Sequence, residues 1–154
     1  MTYDFIIVGA GSAGCVIANR LSEDPSNRVL LIEAGGSDRR FFVQMPIGYG
    51  VTYHQKAVNW MYMTEPSPDA DNKPSYWPRG KVLGGSSSIN AMVYVRGNPK
   101  DFDEWSEMGN PGWSYRDVLP YFKKMESWQK GSDAYRGGDG PLNVSEVSEQ
   151  FHPL

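Results

Sequence analysis

The opening 36 residues constrain the fold more than any other part of the chain. Phe5-Ile6-Ile7-Val8 is a short apolar run, rich in β-branched residues and closed by Gly9. That is the pattern of a strand buried on both faces of a parallel sheet. From Ser12 the period changes. Ala13, Val16, Ile17 and Leu21 recur at helical spacing, and the helix is expected to end near Glu23-Asp24, ahead of Pro25. Arg28-Val29-Leu30-Leu31-Ile32-Glu33 is a second apolar run, closed by Ala34-Gly35-Gly36. Strand, helix and strand in this order imply a βαβ unit with a right-handed crossover, so the expected fold is α/β and Rossmann-like, built on a parallel sheet.

Between the first strand and the helix lies Gly9-Ala10-Gly11-Ser12-Ala13-Gly14, which fits G-x-G-x-x-G. The pattern is weak alone and strong in this setting. It follows a strand, opens a helix, and is answered by Glu33 at the end of the second strand, roughly 20 residues on. Gly9 suits a tight turn, Gly11 lets backbone approach a pyrophosphate, and Gly14 allows the helix to pack closely on the strand. The helix amino terminus, with Ser12 and Ala13, supplies free N-H groups for phosphate charge. Glu33 can accept hydrogen bonds from ribose hydroxyls and would repel a 2′-phosphate, which leaves NAD or FAD rather than NADP. Cys15, on the first helix, reads as a small packing residue.

Composition narrows the class further. The net charge of -3, without runs of like charge, offers no footprint for nucleic acid. The single cysteine rules out an intrachain disulfide framework and makes a cysteine metal site improbable on composition; no metal is expected. No signal peptide pattern opens the chain, and no segment approaches the ~18 apolar residues that span a bilayer. A cytoplasmic location is the expectation. Gly 17, Pro 11, Trp 5 and Tyr 9 indicate a loop-rich, aromatic-rich chain.

Regular periodicity fades from Ser37 to Pro78, where long ordered loops are expected. Loops of that length in a compact domain are usually functional, and a segment covering a cofactor is the reading adopted. Asp101 to Met108 and Ser114 to Ser127 read as helices, the second capped by Ser114 and carrying an apolar stripe of Val118, Leu119, Phe122 and Met125. Leu142-Asn143-Val144 reads as a short strand after the break at Gly137-Gly138-Asp139-Gly140-Pro141.

From Pro78 the sequence runs Pro78-Arg79-Gly80-Lys81-Val82-Leu83-Gly84-Gly85-Ser86-Ser87-Ser88-Ile89-Asn90-Ala91-Met92-Val93-Tyr94-Val95-Arg96-Gly97. Paired glycines followed by serines offer backbone amides and hydroxyls to an anionic pyrophosphate. Arg79 and Lys81 add positive charge, and Asn90 has both donor and acceptor for a flavin edge. This stretch resembles the first signature of the glucose-methanol-choline (GMC) oxidoreductases, choline dehydrogenase-like members above all. The likeness extends through Asn59-Trp60, Thr64-Glu65-Pro66 and Trp113-Ser114-Tyr115. It implies an FAD-binding amino-terminal part spanning 1–154, with 37–78 as covering segment and 78–97 as flavin cradle. It also implies flavin contacts at Ser12, Ala13, Glu33, Trp60, Gly80, Lys81 and Val82, and along Ser86, Ser87, Ser88, Ile89, Asn90, Ala91, Met92 and Val93, with Gly85 in the glycine pair of the cradle. By its own residue type, Trp60 could equally be a core aromatic.

Some GMC members attach FAD covalently through a histidine just before the signature asparagine. Ile89 stands there, so the resemblance implies non-covalent FAD. It further implies oxidation of an alcohol, a small-molecule substrate, by a histidine from the family's carboxy-terminal half. His54 and His152 do not match that position. A missing substrate domain, supplied by a complementary carboxy-terminal segment or chain, is therefore expected. The fingerprint alone would also suit an NAD-binding dehydrogenase domain, and the chain alone a non-catalytic nucleotide-binding subunit. The Gly80 to Gly97 signature has no purpose in the former.

Overall fold

The computed structural model describes residues 2–146, which divide into two compact units at Val93 and Tyr94. Phe151-His152-Pro153-Leu154, and with it His152, lies outside the described residues.

The first unit opens with strand β1 (Phe5–Val8), helix α1 (Ser12–Leu21) and strand β2 (Val29–Ile32). β1 and β2 pair in parallel, Phe5 opposite Val29 through Val8 opposite Ile32, so the expected βαβ unit is present. Its burial differs from the sequence reading. Val8 is 83% exposed and Ile6 60%, because β1 has β2 as its one ladder partner and nothing covers its other edge among the described residues. Along α1, Gly14, Ala18 and Leu21 are half-buried, while the apolar stripe Ala13, Val16 and Ile17 faces outward. Cys15 is exposed rather than packed, its thiol donating to the Ala10 carbonyl at 3.3 Å.

The stretch expected as loops contains short elements: helices α2 (Phe41–Gln44) and α3 (Tyr49–Thr52), and strands β3 (Tyr62–Met63) and β4 (Tyr76–Trp77), paired antiparallel. They are too short to leave a periodic signal in sequence. A small core of Val58, Val82 and Ile89, with Val43 of α2 against it, lies beneath them.

The second unit holds α4 (Pro99–Glu107), α5 (Tyr115–Met125), β5 (Glu126–Trp128) and β6 (Leu142–Val144). Asn98 caps α4 by accepting from the Lys100 amide at 3.0 Å, and Ser114 caps α5 as its sequence position predicts. Val118, Leu119 and Phe122 are half-buried, with Phe122 edge-on to Phe102 at 5.7 Å, while Met125 is exposed. The helix read as reaching Ser127 stops at Met125, and Glu126 begins a strand parallel to β6. A buried charge explains the switch. The fully buried Glu126 carboxylate pairs with Arg96, accepts from Arg136 at 2.8 Å, and accepts from the Gly137 amide at 3.0 Å. Burial pushes this carboxyl up, but the Gly137 amide and the Arg136 and Arg96 guanidiniums outweigh it and hold it below its ordinary value of 4.5.

Glu126→Ala should cost about 3–5 kcal/mol, because it strands two partly buried guanidiniums, and a urea titration reads the loss. The folded carboxyl binds its proton more weakly than the unfolded one. Its contribution is therefore complete above about 4.5 and is lost as the pH falls through the lower folded value. Urea midpoints of the variant should fall less steeply with acid than those of the wild type, the remaining slope coming from carboxyls such as Asp24 and Asp133 that are also held below their ordinary values.

Candidate functional site

The site is built where two glycine turns meet. The first leaves β1, with the Gly9 amide donating to the Ile32 carbonyl at 2.7 Å. Gly11 caps α1 without a side chain, and the helical bonds begin with the Cys15 amide on the Gly11 carbonyl at 2.9 Å. The amides of Ser12, Ala13 and Gly14 are thus the open donors of the first turn, which carries no acidic side chain. A Cβ at Gly14 would sit 1.9 Å from the Gly9 carbonyl oxygen, so α1 lies on the strand exit at a distance only glycine allows.

Glu33, expected at a ribose, also holds the turn together. Its Oε2 accepts from the Ala10 amide at 2.8 Å and its Oε1 from the Gly35 amide at 2.8 Å. Each carboxylate oxygen keeps a further lone pair, so the same group can brace the turn and accept from ligand hydroxyls.

The second turn is the signature. Gly85, at φ 58°, is in the left-handed region, and a Cβ there would lie 2.8 Å from Gly11 Cα. The Gly84 amide donates to the Ala10 carbonyl at 2.8 Å, locking the two turns backbone to backbone. Before the turn, Val82 bridges Gly36 in parallel and Gly80 bridges Asn59 in antiparallel fashion. The Lys81 amide donates to the Val58 carbonyl and the Trp60 amide to the Arg79 carbonyl, both at 2.8 Å. The signature therefore runs between the exit of β2 and the covering segment.

The individual residues expected at the site fall into three groups. Ser12, Ala13, Ser86, Asn90, Ala91, Met92 and Val93 are exposed around the turns. Asn90 Oδ1 accepts from the Met92 amide at 2.8 Å, and its Nδ2 has no hydrogen-bond partner among the described residues. Ser86 Oγ accepts from the Gly80 amide at 3.1 Å and keeps its own proton to donate. Ser87 and Ser88 instead spend their hydroxyls on the Gly84 and Leu83 carbonyls. Val82 and Ile89 belong to the core, so Val82 can meet a ligand through its backbone alone. Arg79 and Lys81, expected to add positive charge, lie against indole rings, Arg79 4.9 Å from the centre of Trp77 and Lys81 Nζ 4.5 Å from that of Trp60. Trp60 is 41% exposed and stacks on Tyr62 at 5.8 Å, so it is not a core aromatic. The sequence pattern assigned no role to Ala10, which is fully buried and serves both turns, or to Asn59, which is 1% exposed. An alanine between two glycines and an asparagine in a loop carry no local signal of burial.

Open first-turn amides, two turns packed too closely at Gly14 and Gly85 to admit a Cβ, and a carboxylate beside them fit a dinucleotide with its pyrophosphate on α1.

A family model described as GMC oxidoreductase matches residues 3–154. The oxygen-dependent choline dehydrogenase of Photobacterium profundum is 53% identical over 99% of this chain and 27% of its own length. The mitochondrial choline dehydrogenase of Mus musculus is 50% identical over 99% of this chain and 26% of its own. Among solved structures, pyridoxine 4-oxidase from Mesorbium loti superposes with a TM-score of 0.83 at 39% identity, over 92% of this chain and 28% of that one. Formate oxidase from Aspergillus oryzae RIB40 superposes with a TM-score of 0.78 at 33% identity, over 93% and 26%. The chain thus spans about a quarter of the length of the relatives it matches.

Gly85→Ala forces a side chain into a left-handed residue and against Gly11. It should weaken dinucleotide binding by about tenfold or more in an equilibrium titration. Ser87→Ala, which loses a hydroxyl already turned to the Gly84 carbonyl, should stay within about twofold.

Proposed function

The chain belongs to the GMC oxidoreductase family, and on that premise we propose that it forms the FAD-binding part of an enzyme that oxidises the CH-OH group of an alcohol to an aldehyde or ketone. The observation that carries the reading is the contact of the Gly85 turn with the Gly11 turn, which joins a dinucleotide fingerprint to the family's signature in one cradle.

In this reading the first-turn amides of Ser12, Ala13 and Gly14 hold the FAD pyrophosphate, and Glu33 takes the adenosine ribose. Gly80 to Val82, Ser86 and Asn90 to Val93 lie along the flavin, with Asn90 Nδ2 as an open donor. Bound FAD supplies the acceptor for a hydride from the alcohol carbon. The chain's own residues bind and orient, and none of them is assigned the base. His54 stacks on Tyr76 at 5.8 Å in an aromatic contact. The base and most of the alcohol pocket are assigned to a complementary carboxy-terminal segment. The relatives support this division, since their names carry different substrates, choline, pyridoxine and formate, over this same segment. Cys15 as the one cysteine suits a reducing compartment, and cytoplasm is the location proposed. Among the described residues no helix is long and apolar enough to cross a membrane.

Ile89 is buried in the core and offers no nucleophile, so attachment is non-covalent. Acid precipitation of the flavin-loaded protein should leave intact FAD in the supernatant. Yellow colour pelleting with the polypeptide overturns non-covalent binding, and a protein that takes up NAD without any flavin absorbance overturns the FAD reading itself.

A further inference from the structure

We propose that Asn59 is a positioning residue for the flavin site, setting the covering segment, and Trp60 in particular, against the signature turn. The inference rests on the flavin reading above.

Asn59 uses its whole hydrogen-bonding capacity. Its Nδ2 donates to the Tyr53 carbonyl at 2.8 Å and to the Tyr76 hydroxyl at 3.2 Å. Its Oδ1 accepts from the Met61 amide at 2.9 Å and from the Arg79 amide at 2.9 Å. A carboxamide is the one side chain of this size with two donor hydrogens and an acceptor oxygen with two lone pairs. The four bonds reach the end of α3, strand β4, the turn after Trp60 and the entry to the signature.

Trp60 is enclosed by these bonds along the chain. Its amide donates to the Arg79 carbonyl, while the next residue, Met61, is held at φ 57° with its amide on Asn59. That backbone conformation is unfavourable for methionine and persists because the buried carboxamide fixes it. The outcome is a large ring held rigidly yet half-exposed, with Tyr62 stacked on it and Lys81 beside it. A buried, fully used network that places an exposed aromatic acts on what the ring faces more than on the core, to which the ring adds little. The same network holds Arg79 at the start of the segment whose Gly85 touches Gly11.

Asn59→Asp preserves volume and both accepted bonds, but removes both donors and sets a carboxylate against the Tyr53 carbonyl. In the complete flavoenzyme containing this segment, flavin dissociation constants and melting temperatures would be measured for wild type, N59D, W60F and the double variant. N59D should raise the dissociation constant about tenfold. In the W60F background it should add almost nothing, whereas its effect on melting temperature should be the same in both backgrounds. Tyr76→Phe, which removes one of the four bonds together with the hydroxyl's own bond to the Tyr53 carbonyl at 2.6 Å, should give the same pattern at smaller size and serves if N59D does not fold. Equal loss of flavin affinity with and without Trp60, or unchanged affinity in N59D and Y76F, overturns the proposal. A wild-type protein that binds no flavin overturns the flavin reading instead.

Discussion

Backbone meets backbone where Gly85 lies against Gly11, and the remaining geometry of the first unit follows from that contact. A methyl group on Gly85 would push apart two turns that lie far apart in sequence, whereas one on Gly11 would meet Gly85 at an ordinary contact distance of 3.9 Å. The left-handed conformation of Gly85 would cost an ordinary residue about 1–2 kcal/mol before any clash is counted. Ala10 is trapped between the turns, its amide on Glu33 and its carbonyl under the Gly84 amide. Because the joint consists of main-chain groups, its outward face is also main chain, which is how a surface can take an anionic phosphate without side-chain obstruction.

Fully satisfied polar groups supply much of the order that a thin apolar core cannot. Val58, Val82 and Ile89 form a small cluster. Around it Glu33 braces the first turn and Asn59 ties the covering segment to the signature, and in the second unit Glu126 gathers two arginines and an amide. Among the described residues no buried side-chain nitrogen or oxygen lacks a partner. Such networks hold one arrangement, since each alternative leaves a buried group unpaired. Meanwhile the apolar residues of β1 and the outer face of α1 stand open, in a chain that covers about a quarter of its relatives' length.

Much of this was legible in the sequence. The strand, helix and strand of the opening unit, the glycine fingerprint, the Ser114 cap and the strand at Leu142 each depend on a few neighbouring residues, and each is where local chemistry puts it. Glu33 was legible as a key carboxylate, though not as a brace for Ala10 and Gly35. Glu126 continued a helical pattern and became a strand, because its partners Arg96 and Arg136 outweigh a local preference worth a fraction of a kcal/mol.

By itself, then, the sequence determined the backbone course of the opening unit, the positions where only glycine fits, and Ile89 where an attaching histidine would stand. The tertiary structure decided which faces are covered, so that Val16 and Cys15 are open and Ala10 and Asn59 are closed. It also decided where the charges rest, laying Arg79 and Lys81 against indole rings. The reason is one of range. Turn and helix preferences are settled among residues a few positions apart, whereas burial and pairing depend on segments that meet only after the chain has closed on itself.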